Sequence, residues 1–205
     1  MERIEANPGR WARAARLVRE RAQLLFATEM PAWAFFLDFV VYPPLILLCL
    51  YLSLRGADLN RALLSVGIFA LGVLIWTLAE YLIHRFAFHH APILKAVHMA
   101  HHDAPRALTG TPTIGTVIVF FLLVYWPMSW LAGAQTAAAL TAGVMLGYLA
   151  YVGVHYIVHH LGSGGSKSMR RLIKLHAVHH HDTEHNFGVT SAFWDRVFGT
   201  LAPRK

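Results

Sequence analysis

The chain has 205 residues, of which 56% are hydrophobic and only 14% charged. Soluble domains carry about 25% charged residues, so this composition excludes an ordinary soluble protein, and it excludes disorder, which requires low hydrophobicity. The net charge is +7, but the lysines and arginines flank apolar runs instead of forming a basic stripe with interleaved aromatic residues, so we expect no nucleic-acid partner. The single cysteine, Cys49, excludes a disulfide framework and any cysteine-based metal site.

The first predicted element is an N-terminal helix within residues 1–30. Apolar residues from Trp11 to Leu25 recur at helical spacing, while arginines occupy the other faces of the same helix. This pattern is typical of an amphipathic helix that lies in the membrane interface. A plain basic anchor is the alternative. Residues 31–205 are predicted to form a single membrane domain.

Four apolar stretches follow, each long enough to cross about 30 Å of hydrocarbon as a helix. They cover residues 33–54, 62–83, 114–131 and 137–158. Short links join the first stretch to the second and the third to the fourth, which predicts two antiparallel hairpins. The predicted fold is an all-α integral membrane protein with an N-terminal interfacial helix and a cytoplasmic, histidine-rich helical cap. Gly143 and Gly147 form a GxxxG pattern that predicts close helix packing.

The basic residues predict an orientation. All but two of the 18 lysines and arginines lie before the first hairpin, between the hairpins or after the second hairpin; the exceptions are Arg55 and Arg61. The positive-inside rule therefore places both ends and the middle segment in the cytoplasm. We expect a multi-pass protein with its site on the cytoplasmic face. The compact size and the Ala/Arg-rich ends favour a bacterial inner membrane.

All 14 histidines lie between His84 and His185. Residues three or four apart share a helix face, so histidines at this spacing can point at one place. A pair five apart needs a helix end or a kink between its members. The four groups are His84 and His89; His98, His101 and His102; His155 and His159; and His176, His179 and His180. The first group follows the second span, the third group ends the fourth span, and the other two groups lie in cytoplasmic segments, so all four can converge on one site at the membrane face.

Ten imidazoles exceed what one metal ion can bind, so we expect two ions with about five nitrogen ligands each. Imidazole suits iron, zinc, copper and nickel, so the ligand type does not choose the metal. The remaining histidines could be alternates, hydrogen-bond partners of ligands or bystanders; they are His90, His160, His181 and His185. Nearby acids could offset charge and orient the rings, or could be ordinary surface charge; they are Glu80, Asp103, Asp182 and Glu184. Glu80 is the strongest of these, because an acid inside an apolar span is costly unless it is used.

The histidine pattern resembles that of the fatty acid hydroxylase superfamily, whose members are membrane-bound non-haem di-metal enzymes. Two further stretches are similar to the fatty acid 2-hydroxylase branch, which hydroxylates the acyl chains of sphingolipids. Residues 80–86 (EYLIHRF) resemble its first motif, and residues 186–200 resemble its C-terminal signature through Asn186–Ser191, Phe193–Asp195 and Val197–Thr200. The resemblance covers residues 70–201.

The resemblance implies an O2-dependent di-iron monooxygenase that hydroxylates a fatty acyl chain, with C-2 as the candidate position. The ten grouped histidines would bind two iron ions, with no catalytic residues beyond these ligands, and zinc could occupy the site in preparations. The resemblance also implies a lipid substrate with a long acyl chain. The chain contains no recognisable cytochrome b5 domain, so we expect a separate electron donor: a ferredoxin, a cytochrome b5-like protein or a reductase.

Several alternatives remain open from the sequence. The same site could act on a sterol, a carotenoid or an ornithine-type lipid, or could desaturate, because the cavity and not the ligands selects the lipid. The segment from His89 to His98 is shorter than in eukaryotic 2-hydroxylases, which leaves the substrate and the carbon position open. A metal transporter or buffer is the non-enzyme alternative, although a transporter would carry ionisable residues along its spans. A bis-histidine haem protein would need fewer ligands. Basic residues could contact an anionic headgroup or reflect the positive-inside rule; they are Arg106, Lys167, Arg170, Arg171 and Lys174.

Overall fold

The computed structural model describes residues 29–162 and 165–203. Within these residues the chain is helical and contains no β-strand. The N-terminal interfacial helix falls outside the described residues except for Glu29 and Met30, so this element and the domain boundary at residue 30 stay predictions.

Eight α-helices follow one another along the described chain. They are α1 (Ala32–Leu54), α2 (Leu59–Leu82), α3 (Pro92–Asp103), α4 (Thr113–Phe120), α5 (Trp126–Ala132), α6 (Ala134–His160), α7 (Lys167–His181) and α8 (Phe193–Val197). Two π-helical turns interrupt them: Ile83–Phe88 directly follows α2, and Phe121–Tyr125 joins α4 to α5. Side chains cap two of the helices, because Asp58 accepts from the backbone N–H of Arg61 at the start of α2 and Ser166 accepts from that of Met169 at the start of α7.

Four helical stretches are long and apolar enough to cross a membrane, which confirms the predicted number of spans. They are Ala32–Leu54, Leu59–Phe88, Thr113–Ala132 and Ala134–His160. The second stretch extends beyond its predicted end at residue 83, because the π-helical turn continues the helix. Large apolar side chains on the outer faces are exposed, among them Trp130 and Leu131. Since these side chains would face lipid, the protein is a multi-pass membrane protein.

Helix α6 is the central helix of the bundle and packs against both α1 and α2. The glycines of the predicted GxxxG pattern lie at its contact with α2. A Cβ atom on Gly143 would collide with the backbone of Phe69, and one on Gly147 would collide with the Trp76 ring. Gly72 of α2 faces the same contact. The small residues therefore let the two backbones approach closely, as predicted.

The C-terminal segment after α7, residues 182–203, returns to the C-terminal half of α2. The indole N–H of Trp194 donates to the Thr77 hydroxyl at 3.1 Å, and the hydroxyls of Tyr81 and Thr200 are hydrogen-bonded at 3.0 Å. These contacts bring the segment to the level of the first histidines, which begin one turn after Glu80.

Candidate metal centre

The ten predicted ligands come together at the end of the second and fourth spans. Helices α3 and α7 lie over these ends and contribute the remaining rings. His84 lies in the π-helical turn and His89 follows that turn. The others are His98, His101 and His102 on α3, His155 and His159 on α6, and His176, His179 and His180 on α7.

The π-helical turn answers the question that the spacing of His84 and His89 raised. The sequence predicted a helix end or a kink between the two residues, and the structure has a wider turn instead. A π-helix joins residues five apart by its hydrogen bonds, whereas an α-helix joins residues four apart. The turn therefore brings both rings to the same side, and their centroids lie 5.3 Å apart.

Five histidines form the first group: His84, His89, His98, His102 and His179, with ligand nitrogens that all lie within 4.8 Å of one another. His98 lies at the centre of the group. Its Nε2 atom is 3.0 Å from that of His84, 3.1 Å from that of His89 and 3.0 Å from that of His102. The Nε2 atoms of His89 and His179 are 3.1 Å apart.

Four histidines form the second group: His101, His155, His159 and His176, again with ligand nitrogens within 4.8 Å of one another. Here His159 is central, with its Nε2 atom 3.1 Å from that of His101, 3.3 Å from that of His155 and 2.9 Å from that of His176. His180 lies at the edge of this group, because its Nε2 atom is 3.1 Å from that of His176.

The geometry of both groups fits metal ions. Divalent zinc binds imidazole nitrogen at about 2.0–2.1 Å, so two nitrogens on one ion, at angles of about 90–110°, lie about 2.9–3.4 Å apart. Neighbouring Nε2 atoms in each group have separations of 2.9–3.3 Å. A neutral imidazole has one N–H and one lone pair, so many converging Nε2 atoms cannot all be satisfied by hydrogen bonds with one another. The two groups of imidazoles therefore have the donor set of two metal sites.

Burial keeps several of the candidate ligand imidazoles uncharged. Removal from water, reinforced by neighbouring histidines, lowers the pKa of His101 to about 3 and that of His180 to about 2. Burial likewise lowers the pKa of His179 to about 3 and that of His89 to about 4. These side chains are neutral at pH 7, which is the state in which imidazole binds a metal ion.

Two backbone carbonyls of the C-terminal segment orient rings of the first group. The Nδ1–H of His84 donates to the carbonyl of Phe187 at 2.6 Å, and that of His179 donates to the carbonyl of His185 at 2.7 Å. A carbonyl only accepts, so both protons lie on Nδ1 and both Nε2 lone pairs face the group. Sequence reasoning missed these carbonyls, since a backbone atom leaves no residue-type signal.

Two buried carboxylates hold the segment that presents these carbonyls. Glu80 accepts from the N–H groups of Val189 and Thr190 at 2.7 and 2.8 Å, and from the Thr190 hydroxyl at 2.7 Å. Asp195 accepts from the N–H groups of Phe187 and Gly188 at 2.8 and 2.9 Å. Glu80 was a predicted candidate for ring orientation and acts on the segment instead. Asp195 had no predicted role, and its place in the C-terminal signature was its one signal.

The remaining candidates lie outside both groups. His90, His160 and His181 are exposed, and the Nδ1 atom of His160 is hydrogen-bonded to the carbonyl of Tyr156 at 2.9 Å. His185 forms a pair with Asp182 at 2.9 Å. Asp103 and Glu184 are exposed. The five basic residues named for a headgroup, Arg106, Lys167, Arg170, Arg171 and Lys174, are all exposed as well, which fits either interpretation.

A cavity of about 450 Å³ lies between the spans and reaches both histidine groups. His98 of the first group and His101 and His155 of the second group line it. Most of the remaining wall is apolar and comes from α1, the second span, α3, α4 and α6, including Phe35, Trp76, Phe88, Val97, Phe120 and Val152. A concave, mostly apolar site with a few converging polar groups is typical of a ligand pocket.

The sequence profile of the fatty acid hydroxylase family matches residues 69–200, a range that contains all ten candidate ligands. The chain belongs to the fatty acid hydroxylase family. The resemblance seen in the histidine motifs and the C-terminal signature is thereby confirmed, and the geometry above is that of a family member.

Individual relatives point to one branch of the hydroxylase family. The chain is 37% identical over 154 residues to the fatty acid 2-hydroxylase of Rattus norvegicus. This alignment covers 68% of this chain and 41% of the relative. The chain is 33% identical over 188 residues to the dihydroceramide fatty acyl 2-hydroxylase FAH1 of Arabidopsis thaliana, in an alignment that covers 81% of this chain and 74% of the relative. The chain thus spans about two fifths of the length of the rat enzyme.

A solved structure shares the fold of this hydroxylase-family protein. Full-length scs7p, of which only the hydroxylase domain is visible, matches with a TM-score of 0.69 at 30% sequence identity. The match covers 83% of this chain and 67% of that chain. The predicted all-α membrane fold is confirmed.

Proposed function

We propose that this protein is an O2-dependent lipid hydroxylase that inserts one oxygen atom into a C–H bond of a fatty acyl chain, at C-2. The observation that carries the proposal is the shared wall between the apolar cavity and the two histidine groups, at His98, His101 and His155. A lipid chain in this cavity would lie against the site. The names of the rat and Arabidopsis relatives support the acyl chain of a ceramide-type lipid as substrate and C-2 as the position.

We assign the ten histidines to two metal ions. The first group would hold one ion through five nitrogens, and the second group would hold the other through four nitrogens, with His180 as a fifth at its edge. Hydroxylation of an unactivated C–H bond needs a redox-active cofactor, so we assign iron; zinc has no redox chemistry but could occupy the same nitrogens in preparations. Bound iron would supply O2 activation, with one oxygen atom entering the C–H bond and the other leaving as water after uptake of two electrons and two protons.

The side chains of the protein have three tasks in this reaction. The apolar wall holds the acyl chain and excludes water from the reacting carbon. The His84 and His179 rings are held by backbone carbonyls, which keeps their lone pairs directed at the site. The histidines that line the cavity would place the metal site beside the acyl chain of the substrate.

The partners and the location follow from the proposal. Nothing in the described residues supplies electrons, so a ferredoxin, a cytochrome b5-like protein or a reductase would deliver them. The distribution of basic residues supports a cytoplasmic site, because the histidine groups lie at the ends of the second and fourth spans. The bacterial inner membrane stays a prediction from composition, and the rat and Arabidopsis relatives are eukaryotic.

A comparison of lipid extracts tests the function. Cells that contain ceramides and a matching electron donor would express the wild type, His179→Ala or His181→Ala, with protein amounts matched in the membrane fraction. We expect the wild type and the His181→Ala control to give ceramides that have gained one oxygen atom, with fragmentation placing it at C-2 of the acyl chain. His179→Ala should lower this product to the level of cells without the protein, because it removes a first-group nitrogen, whereas His181 is exposed.

Three outcomes would contradict the proposal. Loss of two hydrogens from the lipid would indicate desaturation, an oxygen at another carbon would exclude C-2 hydroxylation, and equal product from the wild type and His179→Ala would exclude this site. Acceptance of labelled oxygen from 18O2, but not from labelled water, checks the source of the inserted atom.

A further inference from the structure

A turn at residues 185–187 of the C-terminal segment orients rings of the first histidine group and not of the second. Its two accepting carbonyls belong to His185 and Phe187, which bind the Nδ1–H groups of His179 and His84. Among the ten assigned ligands, all of which lie in the described residues, these are the two Nδ1 atoms that are hydrogen-bonded to backbone carbonyls. Both rings belong to the first group.

Asn186 lies between the residues that carry these two carbonyls. Its φ angle is 58°, in the left-handed region, and it is the one non-glycine residue of the described chain with a positive φ. Asparagine tolerates this conformation better than most residues. Its side chain is 1% exposed; the amide donates to the carbonyl of Leu175 at 3.1 Å and its oxygen accepts from Ala202 at 2.9 Å. These bonds tie the turn to α7 on one side and to the end of the segment on the other.

The second group has no comparable support. The Nδ1 atom of His176 is buried without a hydrogen-bond partner, as is that of His102 in the first group. The Nδ1 atom of His101 has a hydroxyl partner, Thr109, at a long 3.4 Å. The two groups therefore differ in that the first has two rings held by backbone carbonyls, at His84 and His179, and the second has none among the described residues.

We propose that Asn186 is a positioning residue for one of the two metal sites, whose left-handed backbone aims the carbonyls of His185 and Phe187 at the His179 and His84 rings of the first group. This inference rests on the proposed metal function. Loss of such partners of metal-binding histidines typically costs 10–100-fold in metal affinity. The loss should fall on the first site and leave the second site intact.

Zinc titration of the purified, metal-free protein in detergent, against a competing chelator, measures both sites without any turnover. We expect the wild type to bind two ions. Asn186→Ala, which cannot adopt the left-handed turn without strain, should bind one ion as tightly as the wild type and the other about 10–100-fold more weakly.

Paired variants identify the site that is weakened. His84→Ala removes a nitrogen of the first group, and His155→Ala removes a nitrogen of the second. Asn186→Ala combined with His84→Ala should still bind one ion tightly, because both changes affect the same site. Asn186→Ala combined with His155→Ala should bind neither ion tightly.

Asn186→Gly separates a positioning role from a merely structural one. Glycine adopts the left-handed conformation without strain but loses the same side-chain bonds and leaves a larger gap. If the direction of the carbonyls matters, the glycine variant binds the first ion more tightly than the alanine variant. If Asn186 is only a structural contact, the glycine variant is at least as impaired as the alanine variant.

Two results would overturn this inference but leave the proposed metal function in place. In the first, the wild type binds two ions and both Asn186 variants bind them as tightly. In the second, the variants bind both ions equally more weakly. A wild type that binds no ions would overturn the proposed metal function together with this inference. If Asn186→Ala is not recovered from membranes, Asn186→Gly is compared with the wild type alone. Weaker binding of the first ion only supports the inference, and equal weakening of both ions or of neither overturns it.

Discussion

At the scale of single residues, Glu80 shows how a carboxylate inside an apolar span is stabilised. The side chain is 4% exposed and accepts three hydrogen bonds from Val189 and Thr190. These bonds join the second span to the segment that carries the ring-orienting carbonyls. The role of Glu80 is therefore to fix a backbone, and through that backbone to fix the His84 ring.

We predict that Glu80→Gln will loosen the C-terminal segment and lower hydroxylation. A glutamine amide would replace one accepting oxygen with an N–H group, which leaves donors of Val189 or Thr190 unpaired at a cost of about 1–3 kcal/mol each. Limited proteolysis should cut the variant faster within residues 182–203, and the lipid product should decrease. Glu184→Gln is the matched control, since Glu184 is exposed. Equal cleavage of the two variants would show that Glu80 does not hold the segment.

The sequence predicted that the histidine rings converge, as the structure shows, but it did not predict the groups around them; that the rings bind metal stays a prediction. The spacing of the histidines on helices identified the rings that converge, because helical geometry alone places residues three or four apart on one face. The hydrogen bonds from His84 and His179 to backbone carbonyls could not be predicted, because they depend on the path of a loop. The same holds for Asp195, whose partners are backbone N–H groups.

At the scale of helices, the contact between α2 and α6 depends on glycine. We predict that Gly143→Ala will destabilise the protein by about 1–3 kcal/mol, because its new methyl group would overlap the backbone of Phe69 and force the helices apart. Thermal unfolding of the metal-free protein in detergent measures the loss. Gly67→Ala is the control on the same helix pair, because a Cβ atom at Gly67 meets nothing within 4 Å. If both variants unfold at the same temperature, the close approach of the backbones is not required.

The spans were the most predictable elements, because about 20 consecutive apolar residues have few alternatives to a membrane-crossing helix. The GxxxG pattern correctly predicted a close contact between helices. The two π-helical turns were not predictable, since hydropathy reports the length of an apolar stretch and not the hydrogen-bond register within it. The sequence showed that the His84–His89 spacing was unusual, without showing how the helix would accommodate it.

At the scale of the whole molecule, the two histidine groups join the cap, formed by α3 and α7, to the membrane-spanning helices. Helix α3 contributes His98 and His102 to the first group and His101 to the second. Helix α7 likewise contributes His179 to the first and His176 to the second. Each ion would therefore link both cap helices to the ends of the spans.

We predict that removal of the metal will loosen α3 and α7 while the spans keep their structure. Chelated and metal-loaded samples would be compared by hydrogen–deuterium exchange in detergent. Backbone exchange should rise in Pro92–Asp103 and Lys167–His181 and stay unchanged in Ala32–Leu54, whose packing does not depend on the ions. Uniform exchange across α3, α7 and α1 in both samples would show that the cap is held by contacts other than the metal sites.

The π-helical turn at Ile83–Phe88 also constrains how this sequence can vary. The four residues between His84 and His89 can change in type without moving the two rings, provided that the wide turn persists. In an α-helical register the same five-residue spacing would turn the second ring away by about 140°, given 3.6 residues per turn. Substitutions that favour a regular α-helix over these residues would therefore separate the two rings, even though they alter no histidine.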